Sequence, residues 1–268
     1  MSRSYESYAN VLFDGAPYNS QIEATYEQWL NWVASPPTSP DDETPSTAYE
    51  MIHNYLRIPD VRPCGHTLVV LVKRLPEVVD DSGLISMLKT NHVNFNVIIS
   101  TSTLGTDAKS FWCEVASKVN GLCFFDDEKN FAKAIHQLPI FAHRHLIYAN
   151  NPVVSWKNSQ QLPPMTTPEG VNDYFFVLTV QEYAPLGPFV NITVAFTNSA
   201  STYSGFKKID KNMILQQGNS NHYAFMQTLD QNTFEMSLDY TYFSDEEQRI
   251  QLRVYSDKWQ DEWYPYDE

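Results

Sequence analysis

The sequence is poor in cysteine and in positive charge, and each shortage excludes a class of protein. Three cysteines are too few for the disulfide framework of a small secreted domain. Lys and Arg number 18 against 32 Asp and Glu, which gives a net charge of −14. Such a chain repels phosphate backbones and anionic membrane surfaces, so neither nucleic acid nor a membrane is expected as a partner.

Long apolar runs are also missing. No segment reaches the ~18 apolar residues of a membrane span, and residues 1–10 carry no signal-peptide core. As written, the chain is expected in the cytoplasm, and it would be secreted if its true N-terminus is missing. The triplet Asn191-Ile-Thr193 is a glycosylation sequon, which matters only in the secreted case.

The three cysteines, Cys64, Cys113 and Cys123, are interpreted as reduced thiols. Cys113 and Cys123 are near enough in sequence to pair, but they are predicted on a helix and on the strand after it. Packed layers rarely bring two such Cα atoms within the ~4.4–6.8 Å that a disulfide needs.

Apolar residues are abundant, at 43% of the chain against 19% charged residues, so a packed core is expected. In the first half, apolar strands alternate with segments of helical spacing, which is typical of an α/β layer with a parallel sheet. The predicted strands are 8–13, 67–72, 95–100 and 122–125; the predicted helices are 20–33, 44–56, 84–89, 108–119 and 130–138.

After about residue 150 the helical period disappears. Residues 150–173 are rich in Pro, Asn, Gln and Thr and are predicted as a linker. Beyond them, at least five strands separated by turn residues indicate an antiparallel β-sandwich. The predicted organisation is therefore an α/β domain at 1–149, a linker at 150–173 and a β-rich domain at 174–268.

Several ordered segments of the first half resemble the von Willebrand factor A-type domain. They are Thr44-Pro-Ser46 opening a helix, the strands Thr67-Leu-Val-Val-Leu-Val72 and Val93-Asn-Phe-Asn-Val-Ile-Ile99, and Phe111-Trp-Cys-Glu-Val-Ala-Ser117 followed by Asn120-Gly-Leu-Cys-Phe124. The chain is most similar to a divergent, nematode-expanded branch in which a β-rich segment follows that domain. The resemblance implies a three-layer α/β fold whose first central strand would precede Met1.

The family's metal site is not preserved in this sequence. The family holds a divalent cation with Asp-x-Ser-x-Ser, a threonine and an aspartate; here that first motif is absent, and Lys73 followed by Arg74 occupies the aspartate position. An ammonium group has no lone pair to donate, so only Thr44 and Ser46 match the ligand set. The sequence therefore predicts neither a metal nor any other cofactor.

No catalytic motif is recognisable in the chain. It contains no Gly-x-Ser-x-Gly, no phosphate-binding glycine loop and no His-Glu-x-x-His. His143 and His145 would share one face of an extended segment, but no third ligand sits beside them at metal-binding spacing. The chain is therefore predicted not to be an enzyme.

Two binding functions remain as hypotheses. The first is a protein-binding module without a metal bridge, in which Thr44, Ser46, Lys73 and Arg74 lie where parallel strands end and Lys73 contacts a partner's carboxylate. The second is carbohydrate binding by aromatic residues near the C-terminus, chiefly Trp259 and Trp263. Rings at the end of a domain more often fold back on its core, which is the competing interpretation of these tryptophans.

Overall fold

The computed structural model describes residues 8–11, 20–23, 45–57, 63–77, 80–106, 108–139, 145–180, 186–216 and 221–266. The chain divides into two compact units. The first comprises Met1–Gly121 and Asp126–Phe141; the second comprises Leu122–Phe125 and Ala142–Glu268.

The first half of the chain alternates strands with helices, as predicted. Strands β3 and β4 are parallel, and β3, β4 and β5 follow one another in a three-stranded sheet. The elements are β1 (Tyr8–Val11), β2 (Ser20–Glu23), α1 (Ala48–Tyr55), β3 (Thr67–Leu75), α2 (Ser82–Thr90), β4 (Asn94–Gly105), α3 (Lys109–Lys118), β5 (Leu122–Asp126), a 3₁₀ turn (Glu128–Asn130) and α4 (Phe131–Gln137). A von Willebrand A-type domain is not shown by this arrangement, and that resemblance stays a prediction.

The prediction was wrong at two helix starts. Ser20–Glu23, interpreted as a capping box, forms β2 and pairs antiparallel with β1. Strand pairing outweighs the local capping preference of four residues, because tertiary context overrides propensity. The next helix begins at Ala48 rather than at residue 44, and the Ser46 hydroxyl accepts a hydrogen bond from the Ala48 amide at 3.1 Å.

The cysteine prediction was also wrong. Cys113 and Cys123 are both disulfide-bonded, whereas Cys64 is a free, exposed thiol. Both bonded side chains are buried, and the turn between α3 and β5 is tight, because Asn120 adopts a left-handed conformation with φ of 59°. Such a reversal returns the chain directly after the helix and brings Cys123 of β5 within reach of α3.

The second unit is a β-sandwich-like arrangement of two four-stranded antiparallel sheets. The first sheet has the order β11-β10-β13-β8 and the second has the order β12-β9-β15-β6. The elements are β6 (His145–Asn150), β7 (Val153–Val154), β8 (Lys157–Thr166), β9 (Asn172–Thr179), β10 (Phe189–Asn198), β11 (Ser204–Asp210), α5 (Lys211–Gln216), β12 (His222–Leu229), β13 (Thr233–Tyr242), β14 (Gln248–Arg249) and β15 (Leu252–Ser256).

Apolar side chains of both sheets meet in one core. Along β10 and β13, buried residues alternate with more exposed ones, so each strand turns one side inward. Phe176 of the second sheet stacks on Phe196 of the first, with ring centroids 5.8 Å apart. Phe196 also meets Phe234 edge to face at 6.1 Å. These contacts define which faces of the sheets remain available for function.

The predicted linker at 150–173 is largely strand. Residues Lys157–Thr166 form β8, which lies at the edge of its sheet and pairs with β13. Pro163 and Pro164 suggested a loop, but proline is tolerated at a sheet edge, where its missing N–H faces no partner strand. The register of the pair shifts beside these prolines, between Phe234 and Met236. The β-rich region therefore begins earlier than predicted.

Within the part of the chain that the structure describes, no helix is long and apolar enough to span a membrane.

Two glycines give a test of packing in the first unit. A Cβ added at Gly121 would lie 1.8 Å from the Phe95 carbonyl oxygen, whereas one added at Gly83 would meet nothing within 4 Å. We expect Gly121→Ala to lower the free energy of unfolding by about 1–3 kcal/mol. Gly83→Ala, in helix α2, should raise it by about 0.4–1 kcal/mol. Urea unfolding followed by circular dichroism measures both, and equal effects would contradict the described packing.

Candidate functional site

The strand ends of the first unit bring three polar side chains together. Lys73, near the end of β3, lies 3.1 Å from the Glu128 carboxylate and keeps 52% of its side-chain surface exposed. The Ser100 hydroxyl of β4 donates to the other oxygen of Glu128, also at 3.1 Å. The lysine predicted to meet a partner's carboxylate therefore already has a carboxylate of its own chain.

The other residues predicted for this edge are not arranged for a partner. Arg74 is only 4% exposed, because successive side chains of a strand point to opposite faces and Lys73 takes the outward one. Ser46 is 6% exposed, and its amide donates to the Leu75 carbonyl at 3.1 Å. Thr44 lies outside the described residues.

Asp126 is a buried carboxylate at the end of β5, and no sequence motif marks it. Its Oδ1 accepts hydrogen bonds from the Asp127 amide at 2.8 Å and from the Asn130 side chain at 3.0 Å. No hydrogen bond to its buried Oδ2 occurs within the described residues. Burial raises the pKa of Asp126, and these hydrogen bonds oppose the rise.

Metal-binding groups are not clustered in the described part of the chain, where no three His, Cys, Asp or Glu side chains come close enough to hold an ion. His143 lies outside the described residues. His145 is half-buried at the start of β6, and its ring contacts Trp259 edge to face at 4.8 Å.

Trp259 combines high exposure with a fixed position. It follows β15 in a segment without regular structure, and 74% of its surface is exposed. Its indole N–H donates to the Asp261 carboxylate at 3.1 Å, while His145 contacts its ring from β6. Most of the ring surface is therefore open, yet the ring is held by two neighbours.

The segment that carries Trp259 is itself attached to the second unit. The Lys258 amide donates to the Ser256 hydroxyl at 3.1 Å, and the Lys258 ammonium donates to the Glu169 carbonyl. Further along, Tyr264 lies beside Tyr148 of β6, with ring centroids 6.4 Å apart. These contacts on both sides of Trp259 restrict the backbone beneath it.

The expectation that the C-terminal rings fold back on the core holds for some and fails for others. Tyr255, within β15, is 8% exposed, and burial raises its pKa. Trp259 and Trp263 are 74% and 52% exposed, because they follow the last strand and have no place between the sheets.

Further exposed aromatic residues were missed, among them Trp156, Phe206 and Phe243. Trp156 is 61% exposed and has an unusual φ of 58°. Its backbone N–H donates to the Ser244 carbonyl, and its carbonyl accepts from the Tyr242 amide. Phe243, between these two residues, is also exposed.

Phe206 is 74% exposed on β11. Strand alternation would have indicated Phe206, since it shares its face of β11 with Lys208 and Asp210, opposite the buried Ile209. The left-handed Trp156 carries no sequence signal.

Comparison with known proteins covers mainly the second unit. A family model described as a domain of unknown function (DUF7154) matches residues 150–257. A search of curated proteins found no significant match.

Solved structures share only a loose similarity with this chain. The structure of Triatoma virus is 7% identical with a TM-score of 0.29, and the match covers 42% of this chain and 62% of that chain. A carbohydrate-binding module of Cellvibrio mixtus lichenase 5A, in complex with cellotriose, is 8% identical with a TM-score of 0.23, over 42% of this chain and 90% of that one. The carbohydrate-binding module of LamC from Zobellia galactanivorans is 12% identical with a TM-score of 0.20, over 39% and 98%. At such scores no function is taken from these proteins.

Asp126 gives a test of the electrostatics at the strand ends. Because burial raises its folded-state pKa above the ordinary value of about 3.9, the folded protein holds this proton more tightly than the unfolded chain does. Its contribution to the free energy of unfolding therefore falls as pH rises above about 4. We expect Asp126→Asn to remove this dependence, so the variant gains stability relative to wild type as the pH rises above about 4, measured by urea unfolding.

Asp127→Asn is the matched control for that experiment. The Asp127 side chain is half-exposed, and hydrogen bonds from Lys129 lower its pKa. Its stabilising contribution is present above the unfolded pKa and is lost as pH falls, which is the opposite sign. A pH dependence of the same sign in both variants would contradict the burial of Asp126.

Proposed function

We propose that the second unit is a glycan-binding module whose principal contact surface is the Trp259 ring. The observation that carries this proposal is the combination of exposure and fixation at Trp259. An exposed indole held by His145 and Asp261 presents an apolar face without the entropy loss of ordering a mobile ring. Sugar rings offer C–H faces that stack on such a surface.

Polar side chains around Trp259 supply the second requirement for binding a sugar. Asp257, Asp261 and Glu262 are exposed, and Gln260 is half-buried in the same segment. Carboxylates accept hydrogen bonds from hydroxyl groups, and an amide both donates and accepts. A neutral sugar fits this site better than an anionic one, because the nearby carboxylates would repel a uronic or sialic acid.

Protein binding at the strand ends of the first unit is the weaker of the two hypotheses. A partner's carboxylate would have to displace Glu128 from Lys73, and Arg74 is buried. If a protein partner is found, unchanged affinity for Lys73→Ala would remove this hypothesis.

Binding of neutral oligosaccharides should depend on Trp259. A glycan array probed with the full chain identifies the ligand, and isothermal titration calorimetry then measures its affinity. We expect Trp259→Ala to weaken binding at least tenfold, about 1.4 kcal/mol, because the stacking surface is removed. Trp259→Phe should retain part of the affinity, since it keeps a ring but loses the N–H that bonds Asp261.

Phe243→Ala is the control, because Phe243 is 79% exposed and precedes a different acidic segment of the chain. It should leave the affinity unchanged. An array without hits, or a Trp259→Ala variant that binds as tightly as wild type, would refute the proposal.

A further inference from the structure

The outer face of the first sheet is polar and open, and the chain's single sequon lies on it. Among the 268 residues, Asn-x-Ser/Thr with x other than proline occurs once, at Asn191-Ile-Thr193. This triplet is in β10, an inner strand of the sheet between β11 and β13. The question is whether the fold presents or hides the acceptor amide.

Strand parity directs both sequon residues away from the core. Phe189, Ile192 and Val194 are at most 2% exposed, whereas Asn191 and Thr193 are half-exposed. Since side chains alternate along a strand, Asn191 and Thr193 lie together on the outer face, and only the unconstrained middle residue of the triplet, Ile192, enters the core. The fold therefore accommodates the sequon without placing its polar residues inside.

The neighbours of Asn191 leave room for a bulky group. Across the sheet Asn191 stands opposite Asp210 of β11 and Thr241 of β13, both half-exposed polar residues. The register of β10 against β13 also shifts between Phe189 and Asn191, which leaves Val190 as an extra residue. Bulges of this kind bend a strand and redirect its side chains.

A second, independent observation concerns the redox environment. Cys113 and Cys123 are disulfide-bonded, and structural disulfides form and persist in oxidising compartments. The same compartments contain the enzymes that attach N-linked glycans. Sequon geometry and oxidised cysteines thus point to the same cellular environment, although neither depends on the other.

We propose that Asn191 is an N-glycosylation site and that the mature protein carries an oligosaccharide on the outer face of the first sheet. The donor is a lipid-linked oligosaccharide diphosphate. The Asn191 amide nitrogen forms a bond to C1 of the first sugar, the bond from C1 to the diphosphate oxygen breaks, and the lipid diphosphate leaves. The amide proton is released to a base of the transferase, and the Thr193 hydroxyl is the recognition element of the acceptor.

This modification would determine what the outer face of the first sheet can do. An oligosaccharide on β10 would cover the polar outer face and lie on the same side of the sheet as the exposed Phe206 of β11. Glycans are bulky and solubilising, so the covered face would not serve as a docking surface. The glycan-binding proposal for Trp259 is independent of this one.

The experiment uses the full chain behind a cleavable secretion signal in cultured animal cells, together with translation in the presence of microsomes. We expect one N-glycosidase-sensitive size shift for wild type in both systems. Asn191→Gln and Thr193→Ala should each lack the shift, and Thr193→Ser, which keeps the sequon, should retain it. The microsomal assay reads acceptor use even if a variant fails to fold and is not secreted.

Two controls separate this proposal from the others. Trp259→Ala should be glycosylated like wild type, and Asn191→Gln should bind oligosaccharide with unchanged affinity. Alkylation of the secreted protein before reduction should label Cys64 but neither Cys113 nor Cys123. Secreted wild type without the shift, or a shift that persists in Asn191→Gln, would overturn the proposal.

Discussion

Burial of one face of each antiparallel sheet against the other is the constraint on which the described second unit depends. The stacking of Phe176 on Phe196 and the edge contact of Phe196 with Phe234 fix the inward parity of β9, β10 and β13. Side chains alternate between the two faces of a strand, so this parity also sets the direction of every other side chain on these strands. A shift of the register by one residue would turn every apolar side chain outward.

A glycine on β11 shows how closely the core around Phe196 is packed. At Gly205 of β11, an added Cβ would lie 2.5 Å from the Phe196 ring. A ring that fills the space between two sheets therefore requires glycine on the neighbouring strand. Lys207, two residues further along β11, lies over the rings of Tyr223 and Phe225 of β12, at 5.5 and 5.9 Å from their centroids. The cation helps to close the side of the core between two edge strands.

Much of the element order was predictable, because periodicity reports burial directly. The strands at 95–100 and 122–125, the helix at 108–119 and all five strands of the second half correspond to elements of the structure. The predictions were wrong where contacts distant in sequence outweighed a local signal. Pairing with β1 converted the capping box at Ser20 into a strand, and an edge position made the proline-rich β8 possible.

The candidate sites were less predictable than the elements. Trp259 and Trp263 are exposed because they lie after the last strand. The sequence showed that tryptophans are present near the C-terminus, but not whether their rings fold back on the core. The pairing of Lys73 with Glu128 depends on which side chains meet at the strand ends, and 55 residues separate the two in sequence. The buried carboxylate of Asp126 belongs to the acidic run Asp126-Asp127-Glu128, and a charge run does not reveal which of its members is desolvated.

The two prolines of β8 have a consequence for association with other chains. An exposed sheet edge offers unpaired N–H and C=O groups as a template for a foreign strand, which is a common start of aggregation. Neither Pro163 nor Pro164 can donate a backbone hydrogen bond to an added strand, and the shifted register beside them disturbs the regular spacing of the edge. The composition that made this segment resemble a linker thus protects the sheet from growing by strand addition.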